Sequence, residues 1–312
     1  RSKVGLPYVS TSGDLFSRRT DSYLYALGGK WEVGDRLNLR SEVTWQESDY
    51  DEAFFAMRTD RVPPGVWVDF NSGGGKPAFG FMDDPATPVD EGNSANPALW
   101  NVADLYDNAL YRSGDAATFT FDGDFAAGWG ALDKISFGVR YDDRSASEGH
   151  RTATRPACDR TLPACTLSGN PGLAWTNSGF FDGRSDVPDS WVAANGYYIR
   201  DNADAFRQLY GLPTSDQLTI PEDFRVDEAS TALYLQGDFA TEIGGGIFDG
   251  QIGVRYVDVD TDMRFGDGRA SANASKLLPS MMLRYHFTDD LMMRMAYGET
   301  LRRPGFAQLN PN

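Results

Sequence analysis

Residues 275–287 read SKLLPSMMLRYHF, residues 288–290 read TDD, and residues 291–312 read LMMRMAYGETLRRPGFAQLNPN. Two alternating runs are joined by a short turn. In the first, Met281, Leu283, Tyr285 and Phe287 share one face, and Met282, Arg284 and His286 share the other. In the second, Leu291, Met293, Met295 and Tyr297 oppose Met292, Arg294, Ala296 and Gly298. Side chains alternate faces along a strand, so this spacing predicts a hairpin with one apolar and one mixed face. One such hairpin is compatible with a soluble sheet. Repetition is what separates a soluble sheet from a membrane barrel.

The pattern repeats three times upstream. Tyr23, Tyr25, Leu27, Trp31 and Val33 alternate with Leu24, Ala26, Lys30 and Glu32, and Leu37, Leu39, Val43 and Trp45 alternate with Asn38, Arg40, Glu42 and Thr44. Phe119, Phe121 and Phe125 face away from Thr118, Thr120, Asp122 and Asp124, followed by Ile135, Phe137, Val139 and Tyr141 against Lys134, Ser136 and Arg140. Leu233, Leu235 and Phe239 oppose Tyr234, Gln236 and Asp238, and Ile252, Val254 and Tyr256 oppose Gln251, Gly253 and Arg255. This predicts hairpins near residues 21–46, 116–142, 229–257 and 277–300, all of period two.

The connections alternate too. Turns within hairpins are short, at Gly34–Arg36, Ala127–Ala131, Glu242–Gly246 and Thr288–Asp290, whereas residues 47–115, 142–229 and 258–276 read as long loops. Short turns at one end and long loops at the other are the signature of an outer-membrane barrel. Eight residues from Tyr23 to Trp31, tilted about 45°, span roughly 19 Å, close to the apolar band of about 25 Å once interfacial rings are added. A mean hydropathy of −0.44 leaves no run resembling a membrane helix, but a barrel strand needs only half its residues apolar. The reading is all-β: an antiparallel up-and-down transmembrane β-barrel segment with long extracellular loops, occupying residues 1–312 without a second domain. The chain opens at Arg1 with no signal peptide and stops at Asn312 inside a loop, so the expectation is an internal piece of a larger barrel.

These residues resemble those of TonB-dependent outer-membrane receptors. Residues 277–311, LLPSMMLRYHFTDDLMMRMAYGETLRRPGFAQLNP, are similar to that family's barrel pattern of an LPS-like entry, a Thr-Asp turn and an Arg-Pro pair before a Leu-Asn-Pro loop. Residues 247–263, IFDGQIGVRYVDVDTDM, look like the neighbouring strand, and residues 132–147, LDKISFGVRYDDRSAS, echo it. The resemblance implies a 22-stranded barrel in the outer membrane of a Gram-negative bacterium, an N-terminal plug domain and a TonB-binding segment. It also implies energy-coupled uptake of a scarce nutrient, and it is nearest to the large proteobacterial receptors for carbohydrate. Carbohydrate is favoured over a ferric siderophore or vitamin. Against that pattern, residues 1–312 are expected to represent barrel without the plug, the TonB segment or the terminal strands. No enzymatic activity and no cofactor are expected, and the partners are outer-membrane lipid, the plug, the TonB complex and a small ligand such as an oligosaccharide.

Candidate site residues fall into three groups. Arg40, Glu42, Arg140, Asp238, Arg255, Arg284 and Arg294 fall on the mixed face, because a charge facing lipid costs roughly 2–4 kcal/mol at the midplane. There they either bond a plug and guide a solute, or satisfy one another and lumen water. Trp175, Trp191, Tyr197 and Tyr198, with Trp67 and Trp100 from the earlier loop, are ligand-binding candidates. Aromatic faces pack on sugar rings while Asp and Asn bond hydroxyls, yet a long ordered loop also needs an aromatic core of its own. Cys158 and Cys165 fit a local disulfide in an oxidising compartment.

Other motifs are plain. Arg302-Arg303-Pro304-Gly305 reads as a strand stop, since proline removes a ladder donor. His286 and His150 lie too far apart in sequence to support a metal cluster. Gly73-Gly74-Gly75 lacks the strand–helix context and Lys-Ser/Thr pair of a phosphate loop. A net charge of −16 argues against a nucleic-acid partner. Two alternatives stay open: a passive pore or structural barrel, and, more remotely, a soluble β-rich sugar-binding or hydrolytic domain using Asp258, Asp260 and Asp262 or Asp142 and Asp143.

Overall fold

The computed structural model describes residues 2–5, 8–72, 74–156, 158–159 and 161–309. Gly73 of the glycine run and the last three residues, where the unfinished ending was expected, lie outside them. Eight long strands, with the two-residue strand Thr154–Arg155 paired at the margin, build one antiparallel sheet: β1 (Val9–Val33), β2 (Leu37–Arg61), β3 (Asn101–Trp129), β4 (Leu132–Arg151), β5 (Glu222–Ile243), β6 (Gly246–Phe265), β7 (Gly268–His286) and β8 (Met292–Gly298). Each pairs with its neighbour in sequence, giving the order β8-β7-β6-β5-β4-β3-β2-β1, and no pairing joins β8 to β1 among the described residues. This is the up-and-down wall of a β-barrel, not closed on itself. No helix among the described residues is long and apolar enough to cross a membrane.

Register carries the alternation from strand to strand. Leu235 lies between Phe137 of β4 and Val254 of β6, and Leu233 lies between Val139 and Tyr256. The row continues through Ile252↔Met281↔Tyr297 and through Leu283↔Met295. A one-residue slip on any strand would turn its apolar set to the other face, so this agreement across five strands is strongly specified. The apolar row is not buried: Leu235, Ile252 and Met295 are each more than half exposed. Large side chains left open over a continuous sheet face need an apolar medium, and lipid supplies it. Aromatic rings gather near the short turns: the exposed Trp31 and Trp129, the half-buried pair Phe239 and Phe248 at 5.4 Å, and the half-buried Tyr285 beside the exposed Phe287 at 4.7 Å. Aromatic girdles of this kind mark the membrane interfaces of barrels.

The turns are tight because the sequence supplies the right backbone. Gly244 and Gly245, between β5 and β6, have φ of 61° and 85°. Two positive values in a two-residue hairpin loop match the twist of the flanking strands, and glycine adopts them without strain.

The strands are longer than their apolar patterns. The region 258–276, expected as a long loop, is instead the paired ends of β6 and β7 joined by Gly266 and Asp267. Likewise β2 continues to Arg61, β3 starts at Asn101, β4 runs to Arg151 and β5 starts at Glu222, all inside segments expected to be loop. The reason is physical. The apolar set faces lipid only over the membrane band; beyond it that face turns polar, as at Asp258, Asp260 and Asp262, and apolar residues such as Met57, Val102, Leu105 and Val259 are buried instead, while the backbone ladder continues.

The chain forms two compact units. One comprises residues 20–50, 111–149 and 222–312, and holds the lipid-facing rows. The other comprises residues 1–19, 51–110 and 150–221. The second has a conventional core, in which Met57, Trp100, Val102, Leu105, Leu173, Val192 and Ile199 are fully or almost fully buried. It contains a three-stranded sheet (Ser2–Val4, Val66–Ser72, Lys76–Phe81), a hairpin of Ala174–Asn177 with Trp191–Ala194, and the helices α1 (Gly196–Asp201) and α2 (Ala203–Leu209).

Candidate functional site

The hairpin of the second unit sets the geometry of the aromatic candidates. Trp191 pairs with Asn177, and Ala193 pairs with Trp175. Residues directly opposite share a face, so Trp175, Asn177, Trp191 and Ala193 look one way while Val192 and Ala194 turn into the core. Asn195 follows immediately and caps α1, its side-chain oxygen accepting from the backbone N–H of Tyr197 (3.1 Å) and Tyr198 (3.2 Å). The cap turns Tyr197 toward the hairpin's open face. The result is a hollow of about 420 Å³ lined by Trp175, Trp191 and Tyr197 with Ser12, Asp14, Asn177 and Asn195.

One wall of the hollow comes from the start of β1. The Thr11 hydroxyl donates to the carbonyl of Val192 at 2.7 Å, pinning this stretch to the hairpin. Gly13 crosses so near that a Cβ there would come within 1.8 Å of the Ala194 carbonyl oxygen. Only glycine allows that approach. Trp175 and Tyr197 are 55% and 61% exposed, and Trp191 is half-buried with its ring edge-on to Phe180 at 5.2 Å. Flat, exposed aromatic faces beside carboxylate and amide edges are chemically suited to pyranose rings, whose C–H faces are apolar and whose hydroxyls ring the edge.

Three aromatic candidates lie elsewhere. Trp100 is 2% exposed, and its indole N–H donates to the Ser94 carbonyl at 3.0 Å, so it is a core residue and presents no face to a ligand. Tyr198 packs edge-on against Phe206 at 6.2 Å at the margin of the same core. Trp67 sits half-buried in the three-stranded sheet, its ring over Gly80. A loop core and an aromatic platform are therefore both present, built from different residues.

The second unit is clamped by an ion cluster that sequence reading did not pick out. Asp107 on β3 accepts from Arg151 of β4 (2.9 Å) and from Arg207 of α2 (2.7 Å), and Arg207 also bonds Asp204 (2.8 Å). Burial pushes the Asp107 carboxyl up, but hydrogen bonds from Arg207 and Arg151 outweigh it and hold the group below its ordinary value. Cys158 and Cys165 form a disulfide with Cα atoms 5.6 Å apart, and Cys165 lies in the core.

The charged candidates of the first unit share the face opposite the apolar rows, and most are paired. Arg40 meets Asp124 at 3.2 Å, Lys134 meets Asp238 at 2.9 Å, and Arg140 bonds both oxygens of Asp142 at 2.8 Å. Asp249 holds Arg284 and accepts contact from His286 at 2.8 Å. Arg294 lies across from Arg284 in register, and Glu42 and Arg40 line a second hollow with Lys30 and Asp122. The carboxylates weighed for hydrolytic chemistry are tied down as well: Thr118 bonds Asp142 at 2.7 Å, and Asn273 bonds Asp260 at 2.6 Å.

A search of curated proteins found no match for the chain. The family model described as TonB dependent receptor-like, beta-barrel matches residues 44–312, which covers six of the eight sheet strands completely and most of a seventh. Lipid-facing rows, a charged opposite face, short turns at one end and that match agree: the chain belongs to the TonB-dependent receptor-like β-barrel family.

Proposed function

We propose that this barrel captures a neutral oligosaccharide for TonB-dependent uptake across the outer membrane of a Gram-negative bacterium. The family's activity is transport rather than catalysis. The observation that supports the substrate class is the hollow in which Trp175, Trp191 and Tyr197 stand beside Asp14, Asn177 and Asn195. A ferric siderophore carries negative charge, and a chain of net charge −16 attracts it poorly. In this reading the charged face, with Arg40, Glu42, Arg140, Asp238, Arg284 and Arg294, lines the lumen and bonds a plug domain. The TonB complex then supplies the energy through the plug.

The test is calorimetric titration of the receptor at its native length, in detergent, with neutral oligosaccharides and with ferric siderophores. Trp175→Ala should weaken sugar binding by at least about tenfold, since a stacked indole loses on the order of 1.5–3 kcal/mol of apolar burial. Tight binding of a ferric siderophore with no sugar binding would overturn the proposal.

A further inference from the structure

The aromatic hollow lies wholly within the second unit, and the hairpin register orders its lining. Trp191 and Asn177 form one cross-strand row and Ala193 and Trp175 the next, after which the chain passes through Asn195 into α1 at Gly196 and Tyr197. The start of β1 follows the strand Trp191–Ala194 in the same direction. Thr11 bonds the Val192 carbonyl, Gly13 lies against Ala194, and a Cβ on Gly196 would stand 3.2 Å from the Asp14 carbonyl oxygen. Asp14 and Tyr197 therefore share one end of the hollow, Trp191 and Asn177 hold the other, and Trp175 lies between them.

Each of these three positions carries one aromatic ring. Diagonal neighbours on a hairpin such as Trp175 and Trp191 are about 7–8 Å apart, too far for one pyranose to cover both indoles and near enough for adjoining rings of one chain. Hydrogen-bonding capacity is sorted in the same order. The Asn195 side-chain oxygen is taken by the cap of α1, and the Ser12 hydroxyl donates to one oxygen of Asp14. That leaves the exposed Asn177 amide at the Trp191 end and the second carboxylate oxygen of the exposed Asp14 at the Tyr197 end. Asp14 makes no ion pair among the described residues.

We infer that the hollow is a three-ring track for a linear neutral oligosaccharide. Consecutive pyranose rings stack on Trp191, Trp175 and Tyr197, and Asp14 is the specificity-determining residue, reading hydroxyls of the ring at the Tyr197 end. The inference rests on the proposed capture of a neutral sugar and adds the chain length and the residue that selects the end unit. A carboxylate accepts from sugar hydroxyls with charge assistance, and a site built for a hydroxyl discriminates against a ring that lacks it. The Thr11 bond and the close approach of Gly13 brace this wall against the hairpin, which cuts the ordering cost of binding.

The experiment is calorimetric titration of the native-length receptor in detergent with malto-, cello-, laminari- and xylo-oligosaccharides of one to five units. In the series that binds, affinity should rise about threefold to tenfold with each added unit up to three, the worth of one aromatic contact, and stay flat beyond. Asp14→Asn should weaken every length about tenfold, the loss of charge assistance, and leave the levelling point at three. Trp191→Ala should move the levelling point to two. Asn177→Ala, at an exposed position that the hairpin's packing does not need, should weaken only chains of three units and longer. Affinity that is flat from one unit, or still climbing at five, overturns the track and leaves the sugar reading in place. Equal loss at every length in Asn177→Ala overturns the order of the rings, and wild-type affinity in Asp14→Asn overturns its role. If no series binds, the neutral-sugar reading itself fails, and the track with it.

Discussion

Asp107→Asn should loosen α2 from the strands beneath it. The carboxylate side chain is 3% exposed, and the two guanidinium groups it holds are 15% and 12% exposed, so none of the three can be resolvated in place. The amide is isosteric but neutral, and it cannot accept from Arg151 and Arg207 as a carboxylate does. Removing one partner of a buried pair leaves uncompensated charge and costs about 3–5 kcal/mol. Arg207 retains Asp204 and its stack over Phe55 at 5.1 Å, which places the expected loss toward the lower end.

The loss should be local. Hydrogen exchange measured on the native-length receptor in detergent should show protection falling in α1, α2 and the segment to Leu212, while β5 to β7 keep theirs. The pH dependence has a definite sign. Asp107 has a depressed value in the folded protein, so its contribution is complete above its unfolded value, about 3.9, and is lost as pH falls through the folded one. The clamp should hold from neutral pH to about pH 4 and weaken below that, and the variant should lack that acid-side loss. A drop in protection worth less than about 1 kcal/mol, or one spread evenly over the barrel strands, would refute the reasoning.

Three further outcomes follow from the same structure. Leu235→Arg should destabilise the barrel by roughly 2–4 kcal/mol while Gln236→Arg, one residue along and on the other face, should cost little, read as urea unfolding in lipid vesicles. Replacing Cys158 and Cys165 together by Ser should cost at most about 2–3 kcal/mol, because the closed ring is short, and should speed proteolysis between residues 156 and 170 without altering the barrel's resistance to heat in detergent gels. Trp100→Ala should lower the stability of the second unit by about 3–5 kcal/mol as a core truncation, whereas Trp175→Ala should leave it nearly unchanged, seen as loop hydrogen exchange.

The wall was legible in the sequence because lipid imposes a strict rule on it. Leu233, Leu235, Ile252 and Val254 alternate with polar neighbours, and the structure pairs them in the same phase. Where lipid ends, the phase reverses: Val257, Val259, Met263 and Phe265 take the face held by Gln251, Gly253 and Arg255, with Asp258, Asp260 and Asp262 on the other, and so β6 was expected to stop some eight residues before Phe265. The second unit hid for a different reason. Its core is collected from residues 9–212 by short pieces such as the four-residue strand Trp191–Ala194, too short for any period to show.

Two signals could have been used. Asn195 before Gly196 is a helix start, and Ile199, Ala203 and Phe206 recur at helical spacing through α1 and α2. Aromatic content alone could not sort Trp100 from Trp175, because burial is set by which way the local backbone turns. The Asp107 cluster joins residues 44 and 100 positions apart, and no local pattern marks it.

The central claim is that one face of this sheet meets lipid and the other water. A nitroxide scan along residues 251–256 of β6, in the native-length receptor reconstituted in vesicles, tests it most directly. Labels at 252, 254 and 256 should be accessible to oxygen and shielded from a water-soluble nickel complex, and labels at 251, 253 and 255 should show the reverse, with period two. Equal access to the nickel complex at all six positions would contradict the account.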